Sequence, residues 1–294
     1  VTLFEAAERI GGILYYGIPE FCLPNGIIFD LQNRLIQKGI EIETDAVAGK
    51  AFTIKDLLDG GYAAVYIAIG ANKPKFMNIE GENSLGVYSA NEYLYKAKLF
   101  KNAASGGMVK RGDKVVVVGG GNVAIDAART AIRHTSDVTI IYRRTENELP
   151  ARKEEVQNAR EEGVKFLFLT NPVKLHADSN GKVNKAECVK MQLGAEDLSG
   201  RRRPVVIENS NFTIDVDCVI MAIGSDANAY TNCFDECFKV DKYGYPDVGE
   251  DLSTGLKGVF VGGDFVCGAS TVINAMVYGE RSAEAIDEYL KSQL

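Results

Sequence analysis

Short apolar segments alternate along the chain with longer segments in which apolar residues recur every three or four positions. The short β-rich runs predict buried strands, and the longer periodic segments predict helices. The predicted strands are residues 1–5, 41–44, 63–69, 114–118, 138–142, 165–169, 219–223 and 258–261. The predicted helices are residues 27–38, 122–134, 152–162 and 270–290. This alternation is typical of the α/β class with a parallel sheet.

The region between residues 182 and 216 has a different pattern. Residues 182–192 and 212–216 are predicted as antiparallel hairpin strands, because the intervening residues 194–203 are polar and rich in turn-forming side chains. Arg201, Arg202 and Arg203 are then expected at a solvated hairpin tip.

Two distant segments have similar sequences. Residues 63–71 (AAVYIAIGA) and 218–225 (CVIMAIGS) are each a buried apolar strand that ends in Ala-Ile-Gly. We interpret them as equivalent strands in two copies of one nucleotide-binding fold. The sequence therefore predicts two Rossmann-like dinucleotide-binding domains.

A change of composition suggests how these two domains are arranged. Residues 101–112 (KNAASGGMVKRG) are small, glycine-bearing and basic, as in a connector, and residues 225–230 are a second candidate. We therefore predict an inserted domain at residues 105–226, with residues 1–104 and 227–294 together forming the other domain.

A glycine-rich turn carries the first chemical signal. Gly119, Gly121 and Ala124 form a G-x-G-x-x-A pattern between an all-valine strand and a helix. The first glycine permits the tight turn, the second lets backbone N–H groups approach a pyrophosphate, and the alanine permits close packing of helix on strand. The anion would then lie at a helix N-terminus, where unpaired N–H groups and the helix dipole favour it. The alternative is a tight turn that binds nothing.

The next predicted strand ends in Tyr142-Arg143-Arg144, about twenty residues after the glycines, where an NAD-specific domain has a carboxylate for the ribose. Two guanidinium groups at this point favour a 2′-phosphate, and so NADP over NAD. The alternative is a solvated basic strand end. Arg152 either adds to this charge or begins the next helix.

Two acids end strands in the flanking segments. Glu5 ends the predicted strand at residues 1–5, which corresponds to the second strand of a dinucleotide fold, where an acid binds the ribose hydroxyls. Asp264 follows the strand at 258–261 and precedes a long helix, so it is placed for a ribityl hydroxyl while the helix start faces pyrophosphate.

The ordered motifs resemble one protein family over nearly all of the chain. They are VTLFEA, GGILYYGIPEFCLP, AIGA, VVVVGGGNVAIDAAR, YRRTENELPARKEE and VFVGGDFVCGASTVINAM. This set resembles the glutamate synthase small (β) subunit and its relatives, including NADPH-dependent ferredoxin oxidoreductase subunits. The resemblance implies an FAD domain with an inserted NADP domain, hydride transfer from NADPH to flavin, and single-electron delivery to iron–sulfur centres. The implied partner is a large glutamate synthase-type subunit or a ferredoxin-like electron acceptor.

The resemblance also assigns site residues by position. The implied FAD contacts are Glu5, Gly12, Ile13, Gly263, Asp264 and Thr271. The implied NADP contacts are Gly120, Gly121, Asn122, Val123, Arg143, Arg144 and Gly224. No side chain is expected to act as catalytic acid or base, since the cofactors carry the chemistry of hydride transfer.

Some positions depart from the family pattern. Cys22 stands where GIPEFRLP has arginine, and Ile69 replaces the threonine of an Ala-Thr-Gly turn. The chain opens at Val1 inside a predicted strand, so we expect a piece of a longer polypeptide whose first strand and FAD-binding glycine turn are missing. On that expectation FAD is held weakly.

Composition narrows the classes of function. The net charge of −7 and pI near 5.1 offer no field that attracts nucleic acid or an anionic membrane. No apolar run reaches the ~18 residues that a membrane helix needs. The six cysteines lack framework spacing and no signal segment opens the chain, which favours a reducing, cytoplasmic setting.

The cysteines and histidines are expected to be structural, and no metal site is expected. Cys233 and Cys237, four residues apart, leave open a redox disulfide and therefore a pyridine-nucleotide disulfide reductase. A third hypothesis is a non-catalytic NADP-binding adaptor with a degenerate flavin half. His134 and His176 are expected at a helix end and in a loop.

Overall fold

Strands and helices alternate as predicted in the computed structural model, which describes residues 1–100, 108–196, 200–227 and 239–293. The strands are β1 Thr2–Phe4, β2 Glu41–Glu43, β3 Val65–Ile67, β4 Lys73–Pro74, β5 Val87–Ser89, β6 Lys114–Val118, β7 Asp137–Tyr142, β8 Lys165–Phe168, β9 Thr170–Ala177, β10 Val183–Glu196, β11 Arg202–Val206, β12 Phe212–Asp215, β13 Cys218–Met221, β14 Ser225–Asp226 and β15 Val259–Val261. The helices are α1 Ile13–Tyr16, α2 Asn25–Gln37, α3 Ile54–Asp59, α4 Ala90–Leu99, α5 Asn122–Ile132, α6 Lys153–Glu161, α7 Asp264–Cys267 and α8 Val272–Ser292.

Every predicted strand and helix is confirmed. Their ends differ by two residues or fewer, except that the strand predicted at 182–192 extends four residues further, to Glu196. The sequence pattern missed several short elements: β4, β5, β14, α1, α3, α4 and α7, together with β9 and β11. Among the helices in the described residues, none is both long and apolar enough to cross a membrane.

The chain divides into two compact units. Unit 1 comprises Val1–Ile10, Phe29–Pro74 and Gly224–Leu294, and unit 2 comprises Gly11–Ile28 and Lys75–Ile223. The cofactor-domain boundaries given above stay a prediction, because compactness alone does not show which residues hold a cofactor.

The described part of unit 2 is built on a parallel sheet in the order β5-β13-β6-β7-β8. Its central strand β6 explains the run of four valines. Val115 and Val117 pack with α4, α5 and α6 on one face, whereas Val116 and Val118 pack against β9 and β10 on the other. Both faces are therefore buried, and a strand of this kind is continuously apolar rather than alternating.

A second, antiparallel sheet in unit 2 is arranged around the long strand β10. Its first half pairs with β9 and β12, with Lys185 opposite Asp215. Its second half pairs with β11, with Met191 opposite Val206 and an irregularity between Leu193 and Glu196. The antiparallel pairing is confirmed, but the prediction of a turn at 194–203 was wrong at both ends, because β10 continues to Glu196 and β11 begins at Arg202. For the same reason Arg202 and Arg203 lie in a strand instead of a hairpin tip.

Unit 1 contains two parallel strand pairs, β1–β2 and β15–β3. Val259 and Val261 of β15 are fully buried, and they form a small core with Ile54, Ile67 and Phe265. The carboxyl ends of β1 and β15 lead directly to the two predicted acidic positions.

Candidate functional site

The glycine turn between β6 and α5 is shaped by its contacts with neighbouring strands. Gly119 has a φ of +140°, and a Cβ at this residue would lie 2.2 Å from the carbonyl oxygen of Ala222. A Cβ at Gly120 would lie 2.7 Å from the ring of Tyr142 and from the side chain of Leu149. The fold therefore requires glycine at position 119, whereas at position 120 a Cβ would force the side chains of Tyr142 and Leu149 to move.

Gly121 differs from its two neighbours in the turn. No atom lies within 4 Å of a Cβ placed there, so the side of the turn that Gly121 faces is open. It is also the N-cap of α5 and provides no side-chain capping bond. The first N–H groups of a helix lack intrahelical partners. The open turn at the start of an 11-residue helix therefore presents donors and the positive end of a dipole to an anion.

The start of α5 is tied to the start of α6. The Oδ1 atom of Asn122 accepts a hydrogen bond from the backbone N–H of Arg152 at 3.0 Å. Val123 is 42 % exposed, whereas Ala124, Ala127 and Ala128 are completely buried against the sheet. The small face of α5 thus packs closely, as the pattern predicts, and Arg152 caps α6 instead of lying within it.

The two arginines after β7 have different environments. Arg143 is exposed, whereas Arg144 is only 6 % exposed and its Nε donates to the carbonyl oxygen of Arg202 at 2.8 Å. Arg144 therefore stabilises the position of β11 through this hydrogen bond. Arg143 is the one of the two arginines that is accessible to a phosphate group from solvent. The sequence alone did not show that Arg144 is buried and Arg143 exposed, because the two residues are identical and adjacent.

The acidic positions of unit 1 are held in short loops. Glu5 is half-buried after β1, and its Oε1 accepts a hydrogen bond from the N–H of Ala7 at 2.9 Å. The Oδ1 of Asp264 accepts bonds from the N–H and the hydroxyl of Ser270, at 3.1 and 2.9 Å. The second oxygen of each carboxylate, Oε2 of Glu5 and Oδ2 of Asp264, takes no part in these hydrogen bonds.

Two further predicted flavin residues in unit 1 occupy helix starts. Gly263, with φ +65°, is the N-cap of α7. Thr271 is the N-cap of α8, and its hydroxyl accepts from the N–H of Asn274 at 3.2 Å. Thr271 thus orders the start of a 21-residue helix.

The remaining predicted residues lie elsewhere. Gly12 and Ile13 are exposed in unit 2, with Gly12 at φ +48° before α1. Gly224, at φ +101°, is the first residue after β13 that belongs to unit 1. The positive φ of Gly12 and Gly224 explains why glycine stands at each of these positions.

An ion-pair network behind the turn was not predicted. Arg129 of α5 is 7 % exposed, and its Nε and Nη2 donate to the carboxylate of Glu162 at 3.0 and 2.7 Å. Burial alone would raise the pKa of Glu162, but the bonds from Arg129 and Arg133 lower it to about 2. Arg129 also donates to Glu155. The network joins α5 to α6.

Two further groups lie beside this network. Cys22 is exposed, but neighbouring protein atoms partly desolvate its thiol and raise the pKa to about 12, and the Asp126 and Glu155 carboxylates reinforce the shift. Burial also raises the pKa of Asp126 to about 6. Both groups are therefore in their neutral or nearly neutral range at mildly acidic pH.

The cysteine and histidine predictions are only partly covered by the structure. Cys233 and Cys237 lie outside the described residues, and the cysteines within them, Cys22, Cys188, Cys218 and Cys267, are free thiols. His134 is exposed just beyond α5. His176 is in strand β9, not a loop, and its Nε2 lies 3.3 Å from Glu187.

The parallel sheets, the glycine turn and the open helix start define a dinucleotide-binding α/β protein. The chain belongs to the pyridine nucleotide-disulphide oxidoreductase family, whose model matches residues 12–279. Members of this family bind FAD and NADP.

Individual relatives agree with this assignment. The chain is 39 % identical over 295 residues to the NADP(+)-dependent formate dehydrogenase subunit beta of Moorella thermoacetica, covering 99 % of this chain and 40 % of that protein. It is 32 % identical over 300 residues to the glutamate synthase [NADPH] small chain of Escherichia coli, covering 99 % and 63 %. The chain therefore spans less than two thirds of these relatives. The resemblance to the glutamate synthase small subunit group is confirmed.

A solved structure supports the fold. FprA from Mycobacterium tuberculosis in complex with NADPH superposes with a TM-score of 0.79 at 18 % identity, over 99 % of this chain and 78 % of that one. The predicted class, α/β with two Rossmann-like dinucleotide-binding domains, is confirmed.

Proposed function

We propose that this chain is the nucleotide-binding part of an NADPH-dependent flavin oxidoreductase that delivers electrons to iron–sulfur centres, as in the glutamate synthase small subunit. The observation that carries the proposal is the open glycine turn at the start of α5, with exposed Arg143 after the adjacent strand β7. When bound, NADPH supplies a hydride, and FAD accepts it and can release electrons one at a time.

The residues of unit 2 fit NADP. The N–H groups of Gly120, Gly121, Asn122 and Val123 would face the pyrophosphate, because a Cβ at Gly121 would enter open space and the helix start offers unpaired donors. Arg143 would pair with the 2′-phosphate through a charge-assisted contact. Arg144 would support this contact from behind by holding β11, and Gly224 completes the proposed set.

The residues proposed for FAD are consistent with hydroxyl and phosphate recognition. Glu5 and Asp264 each follow a parallel strand and offer carboxylate oxygens to ribose or ribityl hydroxyls. Gly263 and Thr271 shape two helix starts. Gly12 and Ile13 add exposed backbone before α1.

The relatives' printed names, which describe a beta subunit and a small chain, support a partner subunit. We propose a partner of the large glutamate synthase subunit type, or a ferredoxin-like protein, in the cytoplasm. This proposal assigns the chain to glutamate biosynthesis or to a related electron-transfer complex.

Binding and reduction assays test the proposal. NADPH and NADH are titrated into the 294-residue chain, and NADPH-dependent dye reduction is then measured with added FAD. Tighter binding of NADPH than NADH is expected. Dye reduction is expected only when FAD is added in large excess over the chain, because the chain is expected to hold FAD weakly. Equal affinity for the two nucleotides would contradict the NADP assignment, and NADPH binding without any FAD-dependent reduction would favour the adaptor hypothesis.

A further inference from the structure

A thiol and two carboxylates from three segments of unit 2 meet beside the Arg129 network. Cys22 lies between α1 and α2, Asp126 lies in α5, and Glu155 lies in the first turn of α6. The Sγ atom of Cys22 is 3.6 Å from Oδ1 of Asp126 and 3.9 Å from Oε2 of Glu155. The three donor atoms all lie within 4.8 Å of one another.

The two sulfur–oxygen separations match those of ligands around one metal ion. Zinc binds thiolate at about 2.3 Å and carboxylate at about 2.0 to 2.2 Å, so a tetrahedral ion places sulfur and oxygen about 3.5 to 3.7 Å apart. The observed 3.6 and 3.9 Å are within a few tenths of an ångström of this spacing. A single S–H proton, by contrast, can serve only one of the two carboxylates at a time.

The ionic contacts of the three ligands differ. Glu155 pairs with the guanidinium of Arg129, whereas the Asp126 carboxylate accepts a hydrogen bond from the Cys22 thiol. The thiolate form of Cys22 would add another negative charge. A cation bound between Cys22 and its two carboxylate neighbours would offset that charge.

Arg129 is compatible with such an ion. Glu162 holds its Nε and Nη2, so the guanidinium stays neutralised whether or not an ion binds. Its Nη1 donates to Oε2 of Glu155 and, at 3.6 Å, to Sγ of Cys22. A carboxylate oxygen keeps a second lone pair, and a thiolate sulfur keeps further lone pairs, for the ion. Metal-ligating carboxylates are commonly hydrogen-bonded in this way, which fixes their orientation. Arg129 would thus orient Glu155 toward the ion.

We propose that Cys22, Asp126 and Glu155 bind one divalent transition-metal ion of borderline softness, with Zn²⁺ preferred and water as the fourth ligand. Binding forms an S–Zn bond and two O–Zn bonds, and the thiol proton is released to solvent. Cys22 is exposed, so the ion has a direct route from solution. Thiolate favours Zn²⁺ over Mg²⁺ or Ca²⁺, which prefer oxygen ligands.

The test is a metal titration of the full 294-residue chain carrying Cys233→Ser and Cys237→Ser, which removes the thiols outside the described residues. Zn²⁺ affinity is measured by competition with a chromophoric chelator, and Cd²⁺ is added separately to observe the thiolate-to-metal absorption band. We expect one ion whose affinity falls at least about a hundredfold in Cys22→Ser and at least about tenfold in Glu155→Gln, since even outer partners of a metal site change affinity by about 10 to 100-fold. The Cd²⁺ band should disappear in Cys22→Ser.

Cys267→Ser is the matched control, because Cys267 is also an exposed thiol but lies outside the cluster. It should leave Zn²⁺ affinity and the Cd²⁺ band unchanged. A second measurement uses the chain that retains Cys22. Zn²⁺, but not Mg²⁺, should slow the reaction of the Cys22 thiol with maleimide, and peptide mapping identifies Cys22 as the labelled residue. Unchanged Zn²⁺ affinity in folded Cys22→Ser, or labelling that Zn²⁺ does not slow, would overturn the proposal.

Discussion

Gly119 and Gly121 stand two residues apart in the turn, yet alanine should act differently at each. In Gly119→Ala the new Cβ would lie 2.2 Å from the Ala222 carbonyl oxygen, so the turn and β13 must separate by about 0.8 Å to reach even a 3.0 Å contact. Overpacking of this kind costs roughly 1 to 3 kcal/mol, and the positive φ adds roughly 1 to 3 kcal/mol. We expect the free energy of unfolding to fall by about 2 to 6 kcal/mol.

Gly121→Ala should spare stability and damage binding. Its Cβ meets no atom within 4 Å, and exchanging glycine for alanine at an N-cap costs about 1 kcal/mol. The methyl group would, however, occupy the open side where the pyrophosphate is proposed to lie. Loss of two charge-assisted N–H contacts, at roughly 1.5 kcal/mol or more each, weakens NADPH binding about a hundredfold or more.

Thermal melting and NADPH titration of the two variants separate these effects. Gly26→Ala is the matched control, because a Cβ there also meets no atom within 4 Å and the residue lies in α2. It should bind NADPH as the unaltered chain does. If Gly121→Ala bound NADPH with unchanged affinity, the assignment of the pyrophosphate to this turn would be refuted.

The other predictions concern the arginines and the ion-pair network. Arg143→Ala should weaken NADPH binding about tenfold to a hundredfold with NADH unaffected, by loss of a charge-assisted contact of roughly 1.5 to 3 kcal/mol; equal losses for both nucleotides would contradict it. Arg144→Ala should mainly lower the melting temperature, because β11 loses its bond to a buried guanidinium. Glu162 has a pKa lowered to about 2, so the stability that it contributes is present above its ordinary value of 4.5 and is lost as pH falls toward 2. Urea unfolding of Glu162→Gln should therefore show a smaller loss of stability between about pH 5 and 2 than the unaltered chain, with exposed Glu161→Gln behaving like the unaltered chain.

The sequence could predict the elements whose burial is complete. Four consecutive valines define β6 because both faces of that strand are covered, and the alanines of α5 show that this helix packs closely on the sheet. Gly119 was recognised from the turn motif, whose first glycine permits a tight turn, without knowledge of its contact with Ala222. Gly120 stands at a variable position of that motif, so its crowding by Tyr142 had no local signal.

The sequence could not predict features that depend on distant partners. Arg202–Val206 begins with arginines and contains a proline, so its pairing with β10 has no local signal. The burial of Arg144 depends on that same strand. The meeting of Cys22 with Asp126 joins residues more than a hundred positions apart, which no local spacing can show.

Hydrogen bonds to several neighbouring segments restrain the glycine turn in the chain without nucleotide. The N–H of Gly119 donates to Ile141 of β7, the carbonyl of Gly120 accepts from Ala151, and Asn122 accepts from Arg152. The loop has therefore already lost most of its conformational entropy in the folded chain, and a ligand need not supply the cost of ordering it. Nucleotide association should accordingly resemble docking to a rigid surface, with little movement of the backbone between the free and bound states.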